Sequence, residues 1–178
     1  LNEAELQTFQ VYILSLDLEG FSINSAFFFM KLEQEIKQEK FKSEQQKAVL
    51  NILFTANWIQ TLQKEFFEPF GITGQQYNIL RILRGQHPNR ICAYELKSRM
   101  LDKNSDVSRL LDRLIGKKLI EKSTSKQDKR ASEIRITTQG LTLLEKLDSV
   151  INSLDTEVMR LTSADAKKLN ALLDSCRD

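Results

Sequence analysis

Ser105, Asp106, Ser108 and Arg109, followed one turn later by Arg113, gather hydroxyl, carboxylate and guanidinium groups on a short stretch of chain. Side chains of these types donate to and accept from base edges and phosphates, which is the chemistry of reading a duplex. Further on, Lys126, Lys129 and Arg130 surround a single acid, Asp128, between Ser123 and Ser132. A basic loop of this kind suits the sugar-phosphate backbone or the minor groove. Charge along the chain agrees. Arg84–Arg135 carries 14 Lys and Arg against 7 Asp and Glu, whereas 7 face 10 before it and 5 face 7 after it. The overall charge of +2 hides this asymmetry, and a local basic excess is the electrostatic footprint of a nucleic-acid partner.

Other chemistries lack their residues. There is one histidine, His87, beside Pro88, and two cysteines, Cys92 and Cys176, far apart and without a CxxC. That signals no metal cluster and no Ser-His-acid triad, and the six glycines are too scattered for a phosphate loop. The expectation is a protein that is not an enzyme and needs no cofactor. Cysteine use fits a reducing cytoplasm. Cys92 reads as a small buried residue and Cys176 as part of a helix seam.

The elements that must position these groups follow from periodicity. Ala93–Met100 places Leu96 and Met100 on one face of a short helix. The polar turn Leu101-Asp102-Lys103-Asn104 follows, with Asn104 or Ser105 available to cap a second helix from about Ser105 to Lys117. In that helix Val107, Leu110, Leu111 and Leu114 make a core stripe, leaving Asp106, Ser108, Arg109, Asp112 and Arg113 on or beside the free face. Leu119–Lys122 and Glu133–Ile136 read as two strands flanking the basic loop, and Thr137 or Thr138 as the cap of a long helix. Helix, turn, helix and basic hairpin in this order describe a winged helix-turn-helix.

At SDVSRLLDRLIGKKLIEK, the following DKR and then IRITTQG, the chain resembles the MarR family of bacterial transcriptional regulators. The family has an Asp-x-Arg signature in the wing and a Leu-Thr-x-x-Gly run before the next helix. The resemblance extends from Ser43 to Cys176 in helix order, and its sharp motifs lie between Ser105 and Gly140. Ile136 replaces the usual Leu, and Lys118 stands where a Gly usually closes the recognition helix. A side chain in a left-handed helix-ending position costs on the order of 1 kcal/mol, so a differently shaped C-terminus is expected there. The resemblance implies that Arg130 enters the minor groove. Lys126 and Lys129 would then neutralise phosphates, and Asp128 would hold Arg130 or the loop backbone.

The flanks read as helices built for packing. From Ser43 to Phe70, Val49, Ile52, Leu53, Ala56, Ile59 and Leu62 form one stripe, with Leu50, Phe54, Trp58 and Thr61 beside it. Pro69 and Gly71 end this helix, and Thr73 caps the next, Gly74–Arg84, whose Tyr77, Leu80 and Leu83 face inward. Leu144, Leu147, Ile151, Leu154, Val158 and Leu161 make a coiled-coil-like seam, and after Thr162 or Ser163 the spacing continues through Ala166, Leu169, Leu173 and Cys176. An intramolecular bundle and a dimer interface both satisfy that spacing. The terminal helices of the MarR family form its dimer interface, so the resemblance implies a homodimer on an inverted-repeat, double-stranded operator. It also implies a small aromatic effector between arms and DNA-binding lobe, for which Phe54, Trp58, Phe66, Phe67, Phe70 and Tyr77 offer walls and Arg81 a partner for a carboxylate.

Together these readings predict a mostly α fold with a small β wing, a winged helix-turn-helix domain flanked by N- and C-terminal dimerisation helices. The boundaries are an N-terminal extension and start of the first helix at 1–42, a dimerisation helix at 43–72, the DNA-binding domain at 73–137 and C-terminal dimerisation helices at 138–178. Leu1–Phe29 precede the point where chains of this family begin, near Met30, and read as an upstream extension, an alternative start or a foreign segment. This segment is rich in apolar and aromatic residues, but no uncharged run of 18 residues spans a membrane, and Glu3 and Glu5 disfavour a signal peptide. The expected function is a cytoplasmic, ligand-responsive repressor. Two alternatives share the fold: a winged-helix module that docks a protein without binding DNA, and a thiol-based redox sensor.

Overall fold

The computed structural model describes residues 31–124 and 132–177. Its elements run α1 (Leu32–Glu35), α2 (Glu44–Phe67), a single 3-10 turn (Glu68–Phe70), α3 (Gly74–Gln86), β1 (Ile91–Cys92), α4 (Ala93–Arg99), α5 (Val107–Gly116), β2 (Ile120–Thr124), β3 (Ser132–Ile136), α6 (Thr138–Met159) and α7 (Ser163–Ser175). The three strands form one antiparallel sheet in the order β1-β3-β2. This is the mostly helical fold with a small β wing that the periodicity predicts. β1 is an addition, since two residues are too short to show any period.

The chain divides into two units, 1–57 and 58–178, with the boundary inside α2. In the first, Glu33 of α1 accepts from Lys47 of α2, and the Lys47 ammonium lies 5.7 Å from the Phe41 ring. Val49, Ile52, Leu53 and Phe54 are exposed in the single chain. The second unit contains a continuous core. α3 contributes Ile79, Leu80 and Leu83, α4 contributes Leu96, and α5 contributes Val107, Leu110, Leu111 and Leu114. The sheet adds Ile91, Ile120, Ile134 and Ile136, and α6 closes the core with Leu144, Leu147 and Ile151. The first half of the expected α6 seam is therefore spent inside the protomer, whereas Leu161 at its far end is exposed. The Leu154 side chain lies outside the described residues.

Local chemistry sets the joints. Thr73 caps α3 by accepting from the Gln76 N–H at 3.2 Å while the Gln76 carboxamide accepts from the Thr73 N–H at 3.1 Å, a reciprocal capping box. Thr162 caps α7 by accepting from the Asp165 N–H. Thr137 caps α6, accepting from the Gly140 N–H at 3.1 Å and donating to the Lys118 carbonyl at 2.8 Å. A Cβ at Gly140 would sit 2.3 Å from the Leu119 carbonyl oxygen and 2.7 Å from Ile136. Close approach, rather than backbone freedom, requires this glycine.

Two expectations about α5 are corrected. Its cap is neither Asn104 nor Ser105 but Asp106, whose carboxylate accepts from the Arg109 N–H at 3.1 Å. The turn extends that far because Asp102 takes the Asn104 N–H on its side chain and the Ser105 hydroxyl on its carbonyl. At the other end, Lys118 adopts φ of 59°, so the C-terminus keeps the left-handed turn despite lacking glycine. The Leu119 N–H donates to the Leu114 carbonyl and the Lys118 N–H to that of Ile115. These are the two bonds of a Schellman motif, and Leu114 and Leu119 are both buried beside it.

Candidate nucleic-acid interface

α5 divides cleanly by face. Val107, Leu110, Leu111 and Leu114 point into the core, and Ser108, Arg109, Asp112 and Arg113 are exposed. Asp106 is exposed too, but its carboxylate is engaged as the helix cap. That explains an acid at the start of a helix otherwise suited to phosphate: it satisfies a backbone donor and complements the positive helix end. Ser105 departs from the expectation of a base-reading residue. It is 8% exposed, and its hydroxyl donates to the Asp102 carbonyl at 2.8 Å, so it belongs to the turn.

The turn itself is laced to α3. Gln75 donates to the Asp102 carboxylate at 2.8 Å, and the Leu101 N–H donates to the Asn78 side chain at 3.2 Å. Lys117, near the end of α5, donates to the Gly71 carbonyl. The turn before α5 and Lys117 at its end are thereby fixed to their surroundings, which is what presenting side chains at base-pair spacing demands. Gln75 and Asn78, polar positions of α3, escape sequence reading because helical periodicity marks only the apolar face, and Asp102 reads only as part of the turn.

The wing root adds a second group. Glu121 on β2 accepts from Arg135 on β3 and from Arg90, just before β1. The Arg135 guanidinium, followed by that of Arg90, holds the Glu121 carboxyl below the ordinary value of 4.5. Lys126, Asp128, Lys129 and Arg130 lie outside the described residues.

Four of the residues expected to line an aromatic crevice touch one another. Phe66 packs edge-on to Phe67 at 5.0 Å, Phe67 against Tyr77 at 4.8 Å and Phe66 against Phe70 at 5.8 Å. Arg81 donates to the Tyr77 hydroxyl at 3.2 Å, and Trp58 is half-buried. Phe54 is exposed and belongs to the other unit. An open cleft of about 920 Å³ lies elsewhere, lined by Gln60, Lys64, Glu68, Met100, Arg113 and Lys117 among others. Of the two cysteines, Cys92 caps α4 by accepting from the Glu95 N–H at 3.4 Å, and Cys176 is exposed.

The sequence profile of the MarR family matches residues 72–132, the span from the start of α3 to the wing. A MarR transcription factor from Planctomyces limnophilus superposes with a TM-score of 0.60 at 28% identity, covering 78% of this chain and 98% of that one. From α3 to the wing the chain resembles the MarR family, and its fold resembles that of a MarR transcription factor. Its winged-helix fold is that of the family's transcriptional regulators. A MarR variant from Escherichia coli, crystallised with operator DNA, matches this chain with a TM-score of 0.65 at 25% identity, covering 83% of this chain and 99% of that one. The HTH-type transcriptional regulator PapX of Escherichia coli is 25% identical over 95 residues, 53% of this chain and 58% of the regulator's length. No helix among the described residues is long and apolar enough to cross a membrane.

Proposed function

We propose that this protein is a homodimeric transcriptional regulator of the bacterial cytoplasm that reads an inverted-repeat operator and acts as a ligand-responsive repressor. The observation that carries the reading is the exposed face of α5. Ser108, Arg109 and Arg113 project from a helix whose preceding turn and C-terminal Lys117 are bonded to the rest of the lobe. Arg109, in the first turn, is the base reader, Arg113 contacts phosphate, and Ser108 accepts or donates beside them. Arg130 of the wing enters the minor groove, with Lys126 and Lys129 on phosphate and Asp128 holding the loop. The operator-bound relative from Escherichia coli supports DNA as the partner. The apolar face of α2 at Val49, Ile52 and Leu53 supports a second copy of the chain. The cleft beside Arg113 and Lys117 supports an effector bearing a carboxylate. An occupant engaging Arg113 there removes a phosphate contact, which couples ligand to release.

Binding-site selection from random duplex DNA tests this reading. The expected product is an inverted repeat with half-sites centred ~34 to 36 Å apart, bound with an affinity that falls steeply with salt. Arg130→Ala should weaken binding at least tenfold, about 1.4 kcal/mol. Recovery of no common motif, or of binding indifferent to salt, would sink the proposal.

A further inference from the structure

One carboxylate ties the sheet together on its solvent side. Glu121 Oε1 accepts from Arg135 Nε at 2.5 Å and from Arg90 Nη2 at 2.6 Å, while Arg90 Nη1 donates to the Ser123 hydroxyl at 3.0 Å. Glu121 and Arg135 are cross-strand partners in the β2–β3 register. Arg90 immediately precedes β1, and β3 lies between β1 and β2, so its guanidinium crosses the width of the sheet. Glu133 shares this face, opposite Ser123.

Such a brace is needed because the sheet is narrow where it matters. β1 pairs with β3 only at Ile91–Ile134 and Cys92–Glu133. On the root side of those pairs Glu121–Arg135 and Ile120–Ile136 are joined as two strands without β1, and on the tip side Thr124–Ser132 likewise. Ribbons of two strands are marginal in water and twist more than wider sheets. Short hydrogen bonds between ions are directional and roughly twice as strong as neutral ones. Three bonds at the root therefore set the direction in which the ribbon leaves the lobe. An acid within the most basic stretch of the chain opposes attraction to phosphate, a cost that a positioning role accounts for.

We propose that Glu121 is a positioning residue for DNA binding, holding Arg90 and Arg135 across the sheet so that the β2–β3 hairpin meets the duplex in one orientation. The inference rests on the DNA-binding reading above. It is tested with the full chain and the selected duplex, using Glu121→Ala and Glu121→Gln over a series of salt concentrations. Glu121→Ala should bind about fivefold or more weakly with a shallower salt slope, because misdirected wing contacts release fewer counterions. Glu121→Gln, which keeps an acceptor for a guanidinium, should recover most of the loss. The thermal midpoint should hardly move in either, since half-exposed ion pairs contribute little to stability. Tighter binding with a steeper slope, as charge alone dictates, overturns the proposal. Unchanged binding, or a loss of binding that merely follows a fall in thermal midpoint, does so too. Amide hydrogen exchange on the free protein separates this failure from that of the DNA-binding reading. Glu121→Ala should speed exchange in β2 and β3 and leave α6 unchanged, and equal rates in the hairpin refute the positioning role whatever the protein binds.

Discussion

Lys118 holds a backbone conformation that suits glycine. Its φ of 59° is retained because the Schellman bonds and the burial of Leu114 and Leu119 outweigh the strain. Lys118→Gly should relieve about 1 kcal/mol and raise the thermal midpoint by roughly 2–4 °C; a lower midpoint would refute the strain. Gly140 poses the reverse case. Gly140→Ala must push a methyl group into the Leu119 carbonyl, at a cost of about 3 kcal/mol or more and a fall of roughly 10 °C. On the α5 face, Arg109→Ala should relax base preference at one position per half-site, whereas Arg113→Ala should weaken all sequences alike and lower the salt slope by about one unit. Repeating the site selection with each variant decides it. If Arg109→Ala leaves the selected motif untouched, another residue reads that base.

At the scale of elements, α6 shows how one stripe serves two purposes. Leu144, Leu147 and Ile151 are buried in the lobe, and Asp148 on the same helix meets Arg84 of α3 through two bonds, at 2.5 and 3.1 Å. A bidentate pair of this kind fixes rotation as well as distance, so α6 leaves the lobe in a set direction. The hairpin is held differently, by a group that titrates. The Glu121 carboxyl is depressed below 4.5, chiefly by Arg135 and then by Arg90. A depressed acid contributes its stabilisation fully above the unfolded value and loses it as pH falls through the folded one. The difference in stability between the unmodified chain and Glu121→Gln, small because the pair is half-exposed, should therefore be constant from neutral pH to about pH 5 and vanish in stronger acid. Carbon-detected titration of Glu121 should give a midpoint below 4.5 that rises towards it in Arg135→Ala and rises less in Arg90→Ala. A midpoint at or above 4.5 in the unmodified chain would mean that the bridge is absent in solution.

For the whole molecule, the decisive surface is the α2 face. Val49 and Leu53 are each 56% exposed and Ile52 43% in the single chain, an arrangement that a second copy would bury. Because Leu53 is outside the core, Leu53→Glu should leave each protomer folded while placing an unpaired carboxylate in the proposed interface, at a cost of several kcal/mol. Sedimentation should show monomers at roughly micromolar concentration, and affinity for the inverted repeat should fall as the two half-sites act independently. An unmodified chain that sediments as a monomer under those conditions would remove both the dimer and the palindrome.

The sequence by itself determined the order of the elements, the helix-turn-helix and the hairpin that follows it. Those features are local: apolar residues recur at helical or strand spacing, and Thr73, Thr137 and Thr162 each satisfy a backbone donor three residues away. Tertiary structure alone decided which partner each stripe meets. Periodicity says that Leu144, Leu147 and Ile151 will be covered, but not that the lobe rather than a second chain covers them. It turns Tyr77 inward, but that Phe67 packs on the Tyr77 ring depends on how α2 approaches α3. Ser105 looked like a helix-start residue until the turn drew its hydroxyl inward to Asp102. The Arg90–Glu121 bridge joins residues 31 apart in sequence, and strand order, a property of the folded sheet, is what brings them within a hydrogen bond.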